Sequence, residues 1–232
     1  MKQVLITGGA TGIGAATAQV FLERGYRVFV TVHQTAAELP GVTPIPCDIM
    51  DPADVERLFA AVGTVDVLVN NAGIQRRHPF TEFPEQEWND VIAVNQTAVF
   101  LVSQAVTRHM VERKAGKVIN ICSMQSELGR DTITPYAASK GAVKMLTRGM
   151  CVELARHNIQ VNGIAPGYFK TEMTKALVED EAFTAWLCKR TPAARWGDPQ
   201  ELIGAAVFLS SKASDFVNGH LLFVDGGMLV AV

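Results

Sequence analysis

The chain has 232 residues, 48% hydrophobic and 19% charged, enough to bury one sizeable core without a second domain. A formal net charge of -2 supplies no field that would draw nucleic acid or an anionic membrane, so neither is expected as a partner. Cys47, Cys122, Cys151 and Cys188 form no C-x-x-C pair, which argues against a zinc knuckle or dithiol redox site and suits a cytoplasmic location. No metal is expected.

Short apolar runs alternate with helix-period segments, the pattern of a parallel sheet built from β-α-β units. Strands are predicted at 3–7, 27–32, 42–46, 65–69, 117–121, 159–165 and 221–224. Helices are predicted near 13–24, 52–62, 86–113, 137–157 and 199–209, with a less regular helical stretch over 171–189. The first apolar run, Val4-Leu5-Ile6, is too short for a signal-peptide core. The longest uncharged stretch, 91–107, contains Asn95, Gln96, Thr97, Ser103 and Gln104, so it reads as a buried helix and not a membrane span. Asp51-Pro52 and Asp198-Pro199 each set a capping carboxylate before a proline at the first helical position, with Asp54 and Glu201 complementing the helix dipole. The segment 34–46 is short and leaves little room for a helix between the second and third strands. The expected fold is α/β: a single-domain, Rossmann-like, doubly wound parallel sheet of seven strands flanked by helices, spanning 1–232.

Between the first strand and first helix runs Thr7-Gly8-Gly9-Ala10-Thr11-Gly12-Ile13-Gly14. Glycines at 8, 12 and 14 allow a tight turn and close approach of a pyrophosphate, which the helix N-terminus would then bind. Farther on, Tyr136 and Lys140 share one helix face at i and i+4, a pair that means little alone. Ser123 precedes Tyr136 at the end of a strand, and Asn95 lies within a long helix. Adding hydride to a ketone makes an alkoxide that needs a proton donor. A tyrosine, with a reference pKa of about 10, suits that task if a nearby cation brings it down. A serine hydroxyl can share the developing charge on the substrate oxygen.

The spacing T-G-x-x-x-G-I-G, with Asn70-Asn71-Ala72-Gly73, Pro166-Gly167 and the Tyr136…Lys140 pair, resembles the short-chain dehydrogenase/reductase family along essentially the whole chain. The resemblance implies an Asn95-Ser123-Tyr136-Lys140 catalytic tetrad, in which Asn95 holds a water that links Lys140 to solvent. It places Gly8, Thr11, Gly12, Ile13 and Gly14 around the dinucleotide phosphates, and Asp48 with Ile49 at the adenine. Asn71, Ala72, Gly73, Pro166, Gly167 and Phe169 would line the cofactor, with Tyr136 and Lys140 at the nicotinamide ribose and Thr171 on the carboxamide. The acid that usually selects NAD is missing after the second strand, where Val32 and His33 stand, so NADP(H) is favoured over NAD(H). Residues 171–190 would form a substrate lid.

From about Val65 onward the chain resembles the gluconate 5-dehydrogenase (5-keto-gluconate reductase) branch of that family; the first sixty or so residues resemble ketoacyl-reductase-like members. Two parents joined near Gly63-Thr64 are therefore expected, unless one close relative spans the join. The implied activity is reversible reduction of 5-keto-D-gluconate to gluconate, a sugar acid. A 3-oxoacyl-carrier-protein reductase-like enzyme and an NADP-sensing protein without turnover are the alternatives. Arg76-Arg77-His78 follows the fourth strand, where Arg77 could clamp a carboxylate, and Gln125 and Arg130 could meet sugar hydroxyls. Family resemblance also implies a homotetramer built on the helices at 86–113 and 137–157, with apolar surface at 228–232 fitting a second interface.

Overall fold

The computed structural model describes residues 1–33 and 39–231. The first half runs β1 (Gln3–Ile6), α1 (Gly12–Glu23), β2 (Arg27–Val32), β3 (Thr43–Pro46), α2 (Pro52–Val62) and β4 (Val67–Asn70). Then come α3 (Glu85–Ile92), α4 (Ala98–Arg113), β5 (Gly116–Ile121), α5 (Thr134–Leu154) and β6 (Ile159–Pro166). The chain closes with α6 (Lys175–Val178), α7 (Glu181–Arg190), α8 (Pro199–Ser210) and β7 (Leu221–Val224). Among the described residues, seven strands form one parallel sheet in the order β3-β2-β1-β4-β5-β6-β7. This is the doubly wound sheet expected.

Alternating side chains of each central strand go to opposite faces, and both faces are covered. Val4, Ile6, Val28, Val30, Val69 and Ile164 pack towards α1 and α8, whereas Leu5, Phe29, Leu68, Val118 and Val161 pack towards α2 and α4. That is why the strands read as continuous apolar runs and not as alternating ones. Each such side chain, once fully buried, contributes about 1.5–3 kcal/mol. The order reverses at β1, whose neighbours are β2 and β4, so a crevice opens at the carboxyl ends of those strands. A buried polar network braces its floor: Asn70 Nδ2 donates to Ser103 Oγ and to Asn120 Oδ1, both at 2.8 Å, and Asn120 Nδ2 donates to Thr147 Oγ1 at 2.8 Å.

Several boundaries depart from expectation. The helix expected at 86–113 is three pieces, because Ala93–Thr97 forms a π-helical turn in which the Ala98 N–H bonds to the Ala93 carbonyl. Helix α5 begins at Thr134, not 137, since Pro135 is tolerated in a first turn that needs no N–H from it. Asp51 and Asp198 cap α2 and α8 as read, and Glu201 reaches back to the Asp198 N–H at 2.9 Å. Asp54 stands in the first turn of α2, as read, and also accepts from the Asp48 N–H at 2.9 Å, tying down the turn before the helix. The expectation of little room for a helix over 34–46 falls partly on residues 34–38, which lie outside the described residues. Met228 is buried against Met124, Leu187 and Trp196, so the apolar surface expected at 228–232 is reduced, with Val230 exposed. No described helix is long and apolar enough to cross a membrane.

Candidate active site

Three side chains fix the turn between β1 and α1. Thr7 Oγ1 accepts from the N–H groups of Asn71 at 3.0 Å and Ala72 at 3.1 Å, and Thr31 Oγ1 accepts from the Gly8 N–H at 3.1 Å. Asn71 Nδ2 donates to the carbonyls of Thr7 at 3.0 Å and Gly8 at 2.9 Å, strapping the end of β4 to the turn. Gly8 has φ +62° and lies so close to Ala72 that a Cβ would sit 2.9 Å from its Cα. Thr11, the residue before α1, makes no side-chain cap, and the first turn of α1 holds no acid. Its N–H groups are therefore left for an anion.

A cavity of about 430 Å³ runs along the carboxyl edge of the sheet. At one end stand His33, Asp48 and Ile49; Gly8, Thr11, Gly12, Ile13, Gly14, Asn71, Ala72 and Gly73 line its middle. Ser123, Tyr136 and Lys140 line the other end, and Pro166, Gly167, Phe169 and Thr171 close one wall. All residues expected to hold a dinucleotide thus share one cavity. Asp48 also has the local role that competes with adenine binding, since its Oδ1 accepts from the Met50 N–H at 3.0 Å. Thr31, Cys47, Met50, Val94 and Met173 line the cavity as well and carried no sequence signal. Burial pushes the Cys47 thiol up to about 11, which leaves it a packing group.

At the reacting end, Lys140 is buried and its Nζ donates to the Ile121 carbonyl at 2.6 Å, lying 5.7 Å from the centre of the Tyr136 ring. The Tyr136 phenol was expected to shift down beside this cation. The protein's own groups shift it up: burial is the main cause, partly offset by the Ser123 hydroxyl. Burial likewise pulls Lys140 down, because both charged forms lose their hydration.

The side-chain amide of Asn95 is engaged by protein groups on both of its atoms. Fully buried in the π-helical turn, it accepts from the Ile74 N–H at 2.8 Å, and its Nδ2 donates to the Ile74 carbonyl at 2.9 Å and to Ser139 Oγ at 3.2 Å. Ser139 Oγ in turn donates to the Tyr136 carbonyl at 2.7 Å. Asn95 is a strut between the cavity wall and the tyrosine helix. Replacing it with alanine leaves Ile74 groups unpaired, an expected cost of roughly 1–3 kcal/mol. A lower urea midpoint at unchanged slope would report that loss.

The substrate residues separate. Gln125 bonds Ser123: its Oε1 accepts from the Ser123 hydroxyl at 2.8 Å, and its backbone N–H donates back at 3.2 Å. It aims the serine and does not line the cavity. Arg130 Nη1 donates to Tyr168 Oη at 3.0 Å, and Arg77 Nη2 donates to Gln75 Oε1 at 3.0 Å. The lid expected at 171–190 comprises α6 and α7. Among the described residues, no group of three or more His, Cys, Asp or Glu could hold a metal ion.

A profile of the short chain dehydrogenase family matches residues 2–182. The chain is a short-chain dehydrogenase. This short-chain dehydrogenase is 76% identical over 245 residues to the 5-keto-D-gluconate 5-reductase of Escherichia coli K12, covering 100% of the chain and 96% of the relative. It is also similar to the crystal structure of a gluconate 5-dehydrogenase from Burkholderia cenocepacia in complex with NADP and tartrate. There the TM-score is 0.95 at 50% identity, covering 100% of this chain and 96% of that one. A 3-oxoacyl-[acyl-carrier protein] reductase from Brucella melitensis stands further off, at 34% identity and a TM-score of 0.92, covering 99% and 92%. The expectation of two parents gains no support, because a single relative aligns along the whole chain, across Gly63 and Thr64.

Proposed function

We propose that this dehydrogenase catalyses the reversible NADP(H)-dependent reduction of 5-keto-D-gluconate to gluconate. The observation that carries the reading is one cavity joining the glycine turn to Tyr136, Lys140 and Ser123. The turn fits a dinucleotide: a Cβ at Gly8 or Gly14 would collide with its surroundings, and the first turn of α1 offers unpaired N–H groups. NADPH, when bound, supplies the hydride that reduces the carbonyl carbon. Tyr136 Oη donates the proton to the carbonyl oxygen, and Ser123 Oγ stabilises the charge that develops there. Lys140 holds positive charge beside the phenol, while Asn95 and Gln125 keep the tyrosine helix and the serine in place. A gluconate-type substrate is supported by the two relatives named for it, both more similar than the acyl-carrier-protein reductase.

Initial rates with NADPH and NADH on 5-keto-D-gluconate and on an acetoacetyl thioester test the assignment. Turnover of the sugar acid with NADPH is expected; turnover of the thioester alone, or of neither, defeats it. His33, exposed at the cavity rim, faces the end where an NADP 2′-phosphate would lie. His33→Asp is therefore expected to cut the preference for NADPH over NADH by at least about tenfold, through repulsion of the phosphate. A cytoplasmic homotetramer is part of the same reading. Phe100 on α4 and Met145 and Val152 on α5 are exposed apolar residues that a partner would cover, and sedimentation velocity measures the state directly.

A further inference from the structure

Two groups must meet one substrate oxygen, and they stand on different elements. Ser123 follows β5 and caps a single 3-10 turn, Met124–Ser126, whereas Tyr136 and Lys140 belong to α5. Residues 127–133, which join the two, form no helix or strand, so the connection itself does not fix the distance. Gln125 holds the Ser123 hydroxyl at 2.8 Å, but it lies in the same turn and cannot tie that turn to the helix. Two other side chains do. Ser126 Oγ accepts from the Ser123 N–H at 3.4 Å and donates to the Lys140 carbonyl at 2.9 Å. A helical carbonyl keeps a second lone pair after its own i+4 bond, and Ser126 uses the one at Lys140. Beside it, Glu127 Oε1 lies 2.6 Å from Lys144 Nζ, and only 17% of the Lys144 side chain is exposed. Lys144 continues the row that carries the chemistry, since 136, 140 and 144 share one face of α5. The two contacts therefore hold α5 one and two turns beyond Tyr136.

We propose that Ser126 and the Glu127–Lys144 pair are positioning residues: they clasp the Ser123 turn to α5 and so set the distance at which Ser123 and Tyr136 share one oxygen. The inference rests on the reading of Ser123 and Tyr136 as the pair that acts on the substrate carbonyl. None of Ser126, Glu127 and Lys144 lines the cavity, so they act through Ser123 and not on the substrate. A serine displaced by about 1 Å no longer meets both the phenol and the oxygen, and misplacement on that scale costs up to about 100-fold in rate. An ion pair with a partly exposed partner contributes little to folding, so its loss falls on rate and not on stability. Burial raises the Tyr136 phenol and the Ser123 hydroxyl partly offsets it, so a displaced serine raises the phenol further. The titratable groups around that phenol, Lys140, Cys122 and Tyr168, are untouched when the clasp is opened.

The test measures 5-keto-D-gluconate reduction, gluconate oxidation, NADPH binding and the thermal midpoint in one set of variants. Ser126→Ala/Lys144→Met opens both contacts with little change of volume, and is expected to lower kcat by at least about tenfold in both directions. The Kd for NADPH should change by less than about threefold, because no contact of the glycine turn is altered. Each single substitution should act in the same direction, more weakly. Lys144→Arg keeps a cation for Glu127 and should retain kcat within about threefold of wild type. Oxidation, which needs the phenolate, should rise at a pH higher by at least about half a unit in the double variant. A lower thermal midpoint with kcat and the oxidation profile unchanged would make the contacts structural only and overturn the proposal. So would a Lys144→Arg protein as slow as the double variant, or a loss confined to NADPH binding. Unaffected variants of an active wild type would remove the clasp and leave the functional reading standing. Wild-type protein with no turnover of the keto acid would overturn that reading, and the clasp with it.

Discussion

Tyr136→Phe is expected to lower kcat for 5-keto-D-gluconate reduction by roughly 100- to 10,000-fold, the range over which a positioned proton donor contributes. The phenyl ring stays, so packing beside Lys140 and Ser123 is kept. The thermal midpoint should move by no more than about 4 °C, corresponding to roughly 1 kcal/mol in a chain of this size. The pH dependence gives the mechanism a second handle. Burial raises the Tyr136 phenol above its usual value and so keeps it protonated through neutrality. Reduction, which needs the protonated phenol, should hold its rate through neutral pH and decline on the alkaline side. Gluconate oxidation needs the phenolate and should rise with pH over the same range. Both profiles should flatten in Tyr136→Phe. Full activity in that variant, or an oxidation rate that falls as pH rises, would remove Tyr136 from the proton path.

The tetrad and the glycine turn were legible because their chemistry demands particular residue types in a fixed order on a recognisable scaffold. Other parts of the site depend on register or on distant partners. Nothing in the run around Asn95 announces a π-helical turn, since its apolar spacing suits an ordinary helix equally well, and only the bond from Ala98 to Ala93 reveals the extra residue. Asn70 was visible as a family residue, but its partners Ser103 and Asn120 lie 33 and 50 residues away, and nothing in the sequence joins them to it. Tyr168 passed without a role for the same reason: Arg130, which orients it, is 38 residues upstream. Gln125 was expected on the substrate because of its loop, and its bond to Ser123, two residues before it, had no signal in the sequence. Sequence order shows which groups are present; which of them are already satisfied depends on the packing.

That distinction decides the sign of the second prediction. Gly14 lies within α1, where alanine in open space is favoured over glycine by about 1 kcal/mol. A Cβ at Gly14, however, would stand 2.4 Å from the Gly8 carbonyl oxygen and 2.5 Å from Asn71 Nδ2. Neither atom can give way. The carbonyl belongs to the turn that Thr31 holds at the Gly8 N–H, and the amide is the strap from β4 to that turn. Gly14→Ala is therefore expected to destabilise by roughly 1–3 kcal/mol, as overpacking does in a rigid core. By prising the turn from Asn71 it should also raise the Kd for NADPH by at least about tenfold. Gly204→Ala in α8, whose new carbon meets nothing within 4 Å, is the matched control and should be neutral or stabilising by up to about 1 kcal/mol. Paired urea unfolding and NADPH fluorescence titrations read both effects. If Gly14→Ala behaved like Gly204→Ala, the strap from Asn71 would not be what holds the phosphate turn in shape.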